Sequence, residues 1–189
     1  MKKMMMKRAL FLCLSCLVLV PWGCGKSELQ TTFEKQENYI QSFITQATKA
    51  DTTATVTVTE GVYRLIQHDT LDPRRDSLLW DGRVTLDYAC YTLTSASVGA
   101  SSLVATSVRS VATAAGWSLS DTTQFQPVTL TLDKSLVEGL RLGLYGVQPG
   151  DEGYILFNGK FGFGNRIQGT IPASSALAYH IWIESIENQ

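Results

Sequence analysis

The chain has 189 residues, with sixteen Lys and Arg, seventeen Asp and Glu, and a formal net charge of −1 at pH 7. Removal of residues 1–23, which have the pattern of an export signal, would leave twelve basic and seventeen acidic residues and a formal charge of −5. That acidic balance argues against a nucleic-acid partner, and a mature chain of about 165 residues is long enough for one domain with its own core.

The N-terminal segment has the pattern of a secretory signal. Basic residues occupy positions 2, 3, 7 and 8, and the apolar run that follows, from residue 9 to residue 20, is too short for a stable membrane span. Residues 20–25 read VPWGCG and resemble a bacterial lipobox, in which Gly23 precedes the acceptor Cys24 and Pro21 stands where leucine is usual. We therefore expect a lipid anchor on Cys24, at the periplasmic face or the outer membrane of a Gram-negative cell envelope. An ordinary signal peptide with a coincidental cysteine is the alternative.

Residues 24–54 are interpreted as a lipidated tether followed by a helix. Thr31 and Glu34 have the spacing of a capping box, and the apolar residues after them recur at helical spacing, which predicts a helix from about residue 32 to 48. Its apolar stripe could pack on the flank of the same domain or mediate dimerisation. We expect a monomer.

β-Type residues dominate from residue 54 to 66, and a connection rich in aspartate follows from residue 67 to 82. Clustered carboxylates could suggest a metal site, but their spacing fits no calcium loop, and Arg74 and Arg75 between them oppose cation binding. The sequence therefore favours a solvated connection, with no metal and no cofactor.

A strand is predicted over residues 83–93, because apolar residues alternate there on one face. Cys90 would be the only cysteine left in a lipidated chain, so no intrachain disulfide is possible, and its place in the strand favours buried packing over chemistry. The residues after it, 94–115, are rich in Ser, Ala, Thr and Val and could form a lid or a surface embellishment. The predicted face comprises Val84, Leu86, Tyr88 and Cys90.

The last third of the chain predicts a strand ending near Leu132, a short helix, and two further strands. The helix is expected over residues 134–146, capped by Asp133 or Ser135, with an apolar stripe that faces a core. Gly146 and the Pro-Gly pair after it end the helix. The final strand, from residue 177 to 184, has a period of two that no helix would produce.

These segments together resemble the FKBP-type peptidyl-prolyl isomerases, and in particular a bacterial, Bacteroidetes-like lipoprotein member with a divergent active site. The resemblance covers roughly residues 61–187 and is strongest in the second half, where spaced motifs occur in the family's order. They are LVEGL at 136–140, VQPGD at 147–151, FG at 163–164, and IP at 171–172 followed by alternating Leu177, Tyr179, Ile181 and Ile183.

The resemblance implies an α+β fold in which a curved antiparallel sheet of five or six strands wraps around the short helix, with an extra N-terminal helix. The domain would span residues 55–189, with an insertion at about 94–115 relative to the family. It also implies an apolar pocket for a proline ring, walled by Tyr88, Trp117, Val128, Leu136, Val137, Leu140, Phe163, Ile171 and Tyr179.

Three departures from the family's pattern, at Phe163, Leu140 and Ser118, argue against high activity. Phe163 stands where a tyrosine hydroxyl usually donates a hydrogen bond to the substrate, and Leu140 replaces the tryptophan often found at the pocket floor. The stretch from Gly116 to Ser120 lies where the family has an F-D-S-S-like sequence, so Trp117 could replace the phenylalanine, while Ser118 replaces the aspartate. Asp121 is the one nearby acid that a small shift could substitute.

Other chemistry finds little support in the sequence. Gly159, Gly162 and Gly164 lack the spacing and context of a phosphate-binding loop, and neither His68 nor His180 has a companion motif for metal binding or catalysis. The expected function is a weak peptidyl-prolyl isomerase that acts on proline-containing segments of exported proteins. The alternatives are an inactive FKBP-like module that binds such segments, and a structural lipoprotein that docks a partner through residues 94–115.

Overall fold

A computed structural model describes residues 27–67, 75–119 and 124–188. The elements, in chain order, are α1 (Glu28–Ala50), β1 (Thr55–Thr59), β2 (Val62–Ile66), β3 (Arg83–Thr92), β4 (Leu103–Thr106), α2 (Arg109–Ala114), β5 (Val128–Thr131), α3 (Glu138–Leu144), β6 (Glu152–Phe157) and β7 (Leu177–Glu187). The signal segment and Cys24 lie outside the described residues. Within the described residues no helix is long and apolar enough to cross a bilayer.

Among the described residues seven strands form one antiparallel sheet, six of them in the order β1-β2-β6-β7-β3-β4, while β5 pairs with β3 outside that order. The long strand β3 pairs along its whole length with β7, and its other edge is shared by β5, which pairs with Arg83–Leu86, and by β4, which pairs with Ala89–Tyr91. The expected α+β class, with a helix on the sheet and an additional N-terminal helix, is confirmed. The sheet exceeds the expected five or six strands because the segment 94–115 supplies β4.

Apolar residues cover both faces of the sheet. On the face that we call the helix face, α3 packs against β6 and β2, and Ile155 and Phe157 are fully buried. On the opposite, outer face, Ile40 and Phe43 of α1 pack against Leu156 and its neighbours. Of the two roles left open for the N-terminal helix, packing on the flank of its own domain is therefore the one that the structure shows.

The two helix starts differ from the sequence prediction. Helix α1 begins at Glu28, four residues early, because Ser27 accepts a hydrogen bond from the Gln30 amide at 3.1 Å and serves as the N-cap. Helix α3 is shorter than predicted and has Val137 at its N-cap position without a side-chain cap. Asp133 does not cap it, because its carboxylate accepts from the Ser135 amide at 2.7 Å in the preceding turn.

Two glycines one helical turn apart set the distance between α3 and the sheet. A Cβ on Gly139 would lie 2.3 Å from Phe157 Cγ, and one on Gly143 would lie 2.2 Å from Ile155 Cγ2. Real Cβ atoms do not approach so closely, so any larger residue would force the helix away from β6. The sequence pattern indicated an apolar stripe on this helix but gave no sign of the glycine contact.

Replacing Gly143 with alanine should lower the free energy of unfolding by about 2 kcal/mol, because the added methyl overpacks against Ile155. Helix propensity alone predicts the opposite change, an increase of about 1 kcal/mol in the free energy of unfolding. Urea denaturation followed by circular dichroism measures the change. Gly99→Ala is the matched control, since φ there is −166° and an added Cβ would meet no atom within 4 Å. A Gly143→Ala variant as stable as this control would contradict the contact.

Candidate functional site

An apolar cavity of about 390 Å³ lies on the helix face of the sheet. It is bounded by strands of the sheet, by the start of α3 and by the loop that precedes β7. No Asp, Glu, Lys, Arg or His is among the lining residues that the structure describes. They are Leu86, Tyr88, Cys90, Val104, Ala105, Val128, Leu130, Leu136, Leu140, Phe163, Gln168, Gly169, Thr170, Ile171 and Tyr179.

Strand β3 forms one wall of the cavity, and the residues of this wall agree well with the alternating pattern in the sequence. Leu86, Tyr88 and Cys90 are two residues apart, so their side chains point to the same face of the sheet. Tyr179 of β7 pairs directly with Cys90 and contributes to the same wall. The hydroxyl-bearing rings of Tyr88 and Tyr179 lie with their centroids 6.2 Å apart.

Helix α3 closes one side of the cavity. Leu136, which lies two residues before the first residue of α3, and Leu140, in the first turn of the helix, both line it. Val137, between them, packs against the core of the helix face and is not among the lining residues. The position of these leucines depends on the close contact that Gly139 and Gly143 permit between the helix and β6.

The rim of the cavity is formed by the loop between β6 and β7. Gln168 and Ile171 exchange backbone hydrogen bonds of 3.0 and 2.9 Å, which makes a tight turn at the rim, and Gly169 inside it has a φ of +57°. The loop is fixed from the other side of the sheet by Gln36 of α1. This buried amide donates to Ser174 O at 2.7 Å and accepts from Gly159 N at 2.9 Å.

The inserted segment forms part of the cavity wall. Val104 and Ala105 of β4 line the cavity, and the residues that follow anchor this strand to β3. Ser107 Oγ donates to Asp87 Oδ1 at 2.6 Å and accepts from the Tyr88 amide at 2.9 Å, while Thr106 Oγ1 donates to Tyr88 O at 2.8 Å. Residues 94–115 therefore do more than decorate the surface, because they extend the sheet and enclose the site.

Burial keeps the polar groups of the cavity neutral. It raises the pKa of the Cys90 thiol to about 12 and raises the pKa values of the Tyr88 and Tyr179 hydroxyls above their ordinary value, that of Tyr179 strongly. These groups can donate hydrogen bonds at neutral pH, but they supply neither an anionic nucleophile nor a general base. Within the described residues no three His, Cys, Asp or Glu side chains cluster in a way that could hold a metal ion.

The structure brings together most of the residues that the resemblance implied. Tyr88, Leu136, Leu140, Phe163, Ile171 and Tyr179 all line the cavity, as does Val128. Trp117 does not, because it follows the short helix α2, where its amide donates to Ala112 O at 3.0 Å. Ser118 beside it is exposed, and Asp121 and His68 lie outside the described residues.

Several lining residues were not predicted as site residues. Leu86 and Cys90 share the predicted face of β3 with Tyr88, so the period of two was sufficient to find them. Val104 and Ala105 could not be predicted as lining residues, because the insertion that contains them matches no motif of the FKBP-type isomerases that the sequence resembles. His180 lies on the outer face, where its ring stacks on Tyr154 at a centroid distance of 4.2 Å and meets the ring of Trp182 at 3.8 Å with a tilt of 39°. Burial there lowers its pKa to about 4.

Comparison with solved structures shows which known folds this one resembles. A peptidyl-prolyl cis-trans isomerase from Pseudomonas syringae pv. tomato superposes with a TM-score of 0.54 at 13% identity, covering 87% of this chain and 99% of that one. The fold is FKBP-like. FkpA from Escherichia coli has a TM-score of 0.52 at 13% identity, and the match covers 84% of this chain and 62% of FkpA. The three FKBP domains of wheat FKBP73 give 0.53 at 10% identity, covering 72% of this chain and 51% of that one.

No protein-family model and no curated protein matches the sequence. Identities of 10–13% establish the fold alone. The site must therefore be judged on its own side chains.

We expect the Cys90 thiol to resist alkylation in the native chain. The side chain is only 1% exposed, and a pKa of about 12 leaves almost no reactive thiolate at pH 8. Iodoacetamide labelling followed by mass spectrometry measures this on a chain that begins after Cys24. A Cys90→Ala, Ser118→Cys variant is the matched comparison, since the thiol at the exposed position 118 should react rapidly. Fast native labelling of Cys90 would contradict the burial and raised pKa of this thiol.

Proposed function

We propose that this chain is an FKBP-type peptidyl-prolyl cis-trans isomerase of weak activity that assists the folding of exported envelope proteins. The observation that carries the proposal is the apolar cavity of about 390 Å³, enclosed by side chains on an FKBP-like fold. Seven of the nine pocket residues implied by the sequence resemblance meet there. Its substrates would be proline-containing segments of partly folded proteins.

The chemistry needs neither nucleophile nor metal. Rotation about a peptide bond meets a barrier of about 18–20 kcal/mol, because twisting removes the resonance of the amide. A cavity that holds the proline ring, removes water from the amide and fits the twisted state better than either planar state lowers that barrier. Each tenfold acceleration requires about 1.4 kcal/mol of such differential stabilisation.

The uncharged side chains that line the cavity support the proposed binding of a proline ring and its amide. Leu136, Leu140 and Ile171 offer aliphatic contacts for the ring, and the protonated hydroxyls of Tyr88 and Tyr179 can donate hydrogen bonds to a substrate carbonyl. Since the described lining includes no acid, base or histidine that titrates near neutral pH, the proposed rate enhancement does not depend on proton transfer.

Weak activity is proposed because donors are missing at specific positions. Phe163 lines the cavity but has no hydroxyl, and the stretch carrying Trp117 and Ser118 does not contribute to the lining. One hydrogen bond contributes about 0.5–1.5 kcal/mol net, so its absence could cost up to roughly a tenfold loss of rate. The same observations favour a second candidate function, an inactive module that binds proline-bearing segments without isomerising them.

The chain should accelerate the cis to trans conversion of short proline peptides in proportion to its concentration. Ile171→Ala should reduce kcat/KM about tenfold, because it removes apolar contact with the proline ring. Trp117→Ala is the control and should retain full activity, since Trp117 does not line the cavity. The conversion can be followed by NMR exchange spectroscopy. Peptide binding by a folded chain that gives no acceleration would favour the binding module over the enzyme.

Restoring the missing hydroxyl should raise the activity. Phe163→Tyr is expected to increase kcat/KM by roughly two- to tenfold, the equivalent of one hydrogen bond of about 0.5–1.5 kcal/mol. The effect should appear with unchanged urea stability. Phe161→Tyr, a similar change at a ring that does not line the cavity, is the comparison. Equal activity of the Phe163→Tyr variant and the unmodified chain would discredit this explanation for weakness.

We also propose that the protein is exported and anchored to the envelope membrane through Cys24, on the basis of the lipobox-like sequence alone. Metabolic labelling with an alkyne analogue of palmitate should mark the full chain and leave a Cys24→Ser variant unmarked. The variant should accumulate with its signal segment intact. Processing at a different position, with no label, would indicate an ordinary signal peptide.

A further inference from the structure

The free edge of β1 is a feature that the proposed function does not use. Among the described residues β1 pairs with β2 alone, and it lies at one end of the strand order. Four of its five side chains are exposed, including Val56 at 39% and Val58 at 55%. A strand edge presents a row of peptide N–H and C=O groups, which is a template for pairing with another strand.

This edge lacks the features that usually prevent such pairing. The strand reads TVTVT, with no charge, proline or glycine, and its register with β2 runs from Thr55 to Thr59 without a bulge. The nearest acidic residue on its C-terminal side, Glu60, lies beyond the strand in the hairpin turn, where Glu60 and Gly61 have φ angles of 54° and 94°. β1 is therefore free of bulges, neutral and rich in β-branched residues along its whole length.

The two exposed valines extend an apolar surface that is otherwise covered. Val56 pairs with Leu65 and Val58 with Tyr63, so all four side chains lie on the outer face of the sheet, the face that carries α1. Leu65 is fully buried, whereas the valines are left at the margin. A partner strand placed beside β1 would bury them.

The sequence of β1 indicates that the partner strand is β1 of a second copy of this chain. TVTVT is the same in both directions, so two copies can pair antiparallel about a two-fold axis that passes midway between Thr57 of one copy and Thr57 of the other. Val56 of one copy then lies opposite the partner's Val58, and threonine lies opposite threonine at the other three positions. Cross-strand pairs of β-branched residues stabilise antiparallel sheets. No charge of either copy enters the five pairs.

We propose that two copies of this chain associate through β1, by antiparallel pairing of Thr55–Thr59 centred on Thr57, in place of the monomer expected from the sequence. The axis is perpendicular to the sheet, so both copies of α1 lie on one face and both cavities remain on the other. The proposal does not depend on isomerase activity. Because the shared edge is only five residues long, the association is reversible and depends on concentration.

Charge substitutions at the symmetry axis test the pairing directly. Thr57 faces its own copy, so Thr57→Lys and Thr57→Glu should each give a monomer, because like charges lie opposite each other. An equimolar mixture of the two should restore the dimer. Thr113→Lys is the control and should dimerise normally, since the exposed Thr113 lies on α2, beside β4 at the opposite end of the sheet. Sedimentation equilibrium of the mature chain over a wide concentration range provides the readout.

A Thr57→Cys variant gives an independent measurement that needs no charged side chain. Two cysteines that face each other across an antiparallel pair are close enough for a disulfide, so mild oxidation should cross-link the variant, and a Thr113→Cys control should remain uncross-linked. A monomer at all concentrations would overturn the proposal. So would a dimer that persists in both charged variants, or monomeric variants that the mixture does not rescue.

Discussion

The close contact between α3 and β6 is the constraint on which the rest of the helix face depends. Gly139 and Gly143 let the helix backbone approach Phe157 and Ile155 at distances that no Cβ could occupy. Leu140 lies between these glycines in the sequence, so the approach of the helix also sets how far Leu136 and Leu140 reach into the cavity. The shape of the candidate site is thus fixed by backbone contact, and a shift of the helix by a methyl group would alter it.

Strand periodicity made the sheet the most predictable part of the fold. A period of two placed Leu86, Tyr88 and Cys90 on one face and identified the last strand correctly, because alternation depends only on local backbone geometry. Helix boundaries were less predictable, since several polar residues near each start could act as caps. Asp133 lost that role to a preceding turn, and Ser27 took the role that the sequence assigned to Thr31. Such competition is decided by tertiary context.

The candidate site was predictable only where the sequence follows a known pattern. Trp117 was expected in the wall by position within that pattern, yet β4 occupies one side of the cavity and supplies Val104 and Ala105. An inserted strand changes which residues can reach a pocket. The composition of residues 94–115 does not predict that some of them form a strand paired with β3. The anchoring of this strand by Ser107 to Asp87 and Tyr88 is a polar contact between segments twenty residues apart, which sequence spacing cannot reveal.

The two faces of the sheet have different roles, since the helix face carries the cavity and the outer face carries α1. Gln36 connects the two faces. Its amide extends from α1 on the outer face to the backbone of Gly159 and Ser174, at the ends of the loop that forms the cavity rim. Both of its polar atoms are satisfied, so removing the side chain would take a hydrogen-bond partner from the buried Gly159 amide and from the partly buried Ser174 carbonyl, a loss that apolar packing could not replace. The N-terminal helix is therefore part of the structure that shapes the candidate site, even though none of its side chains lines the cavity.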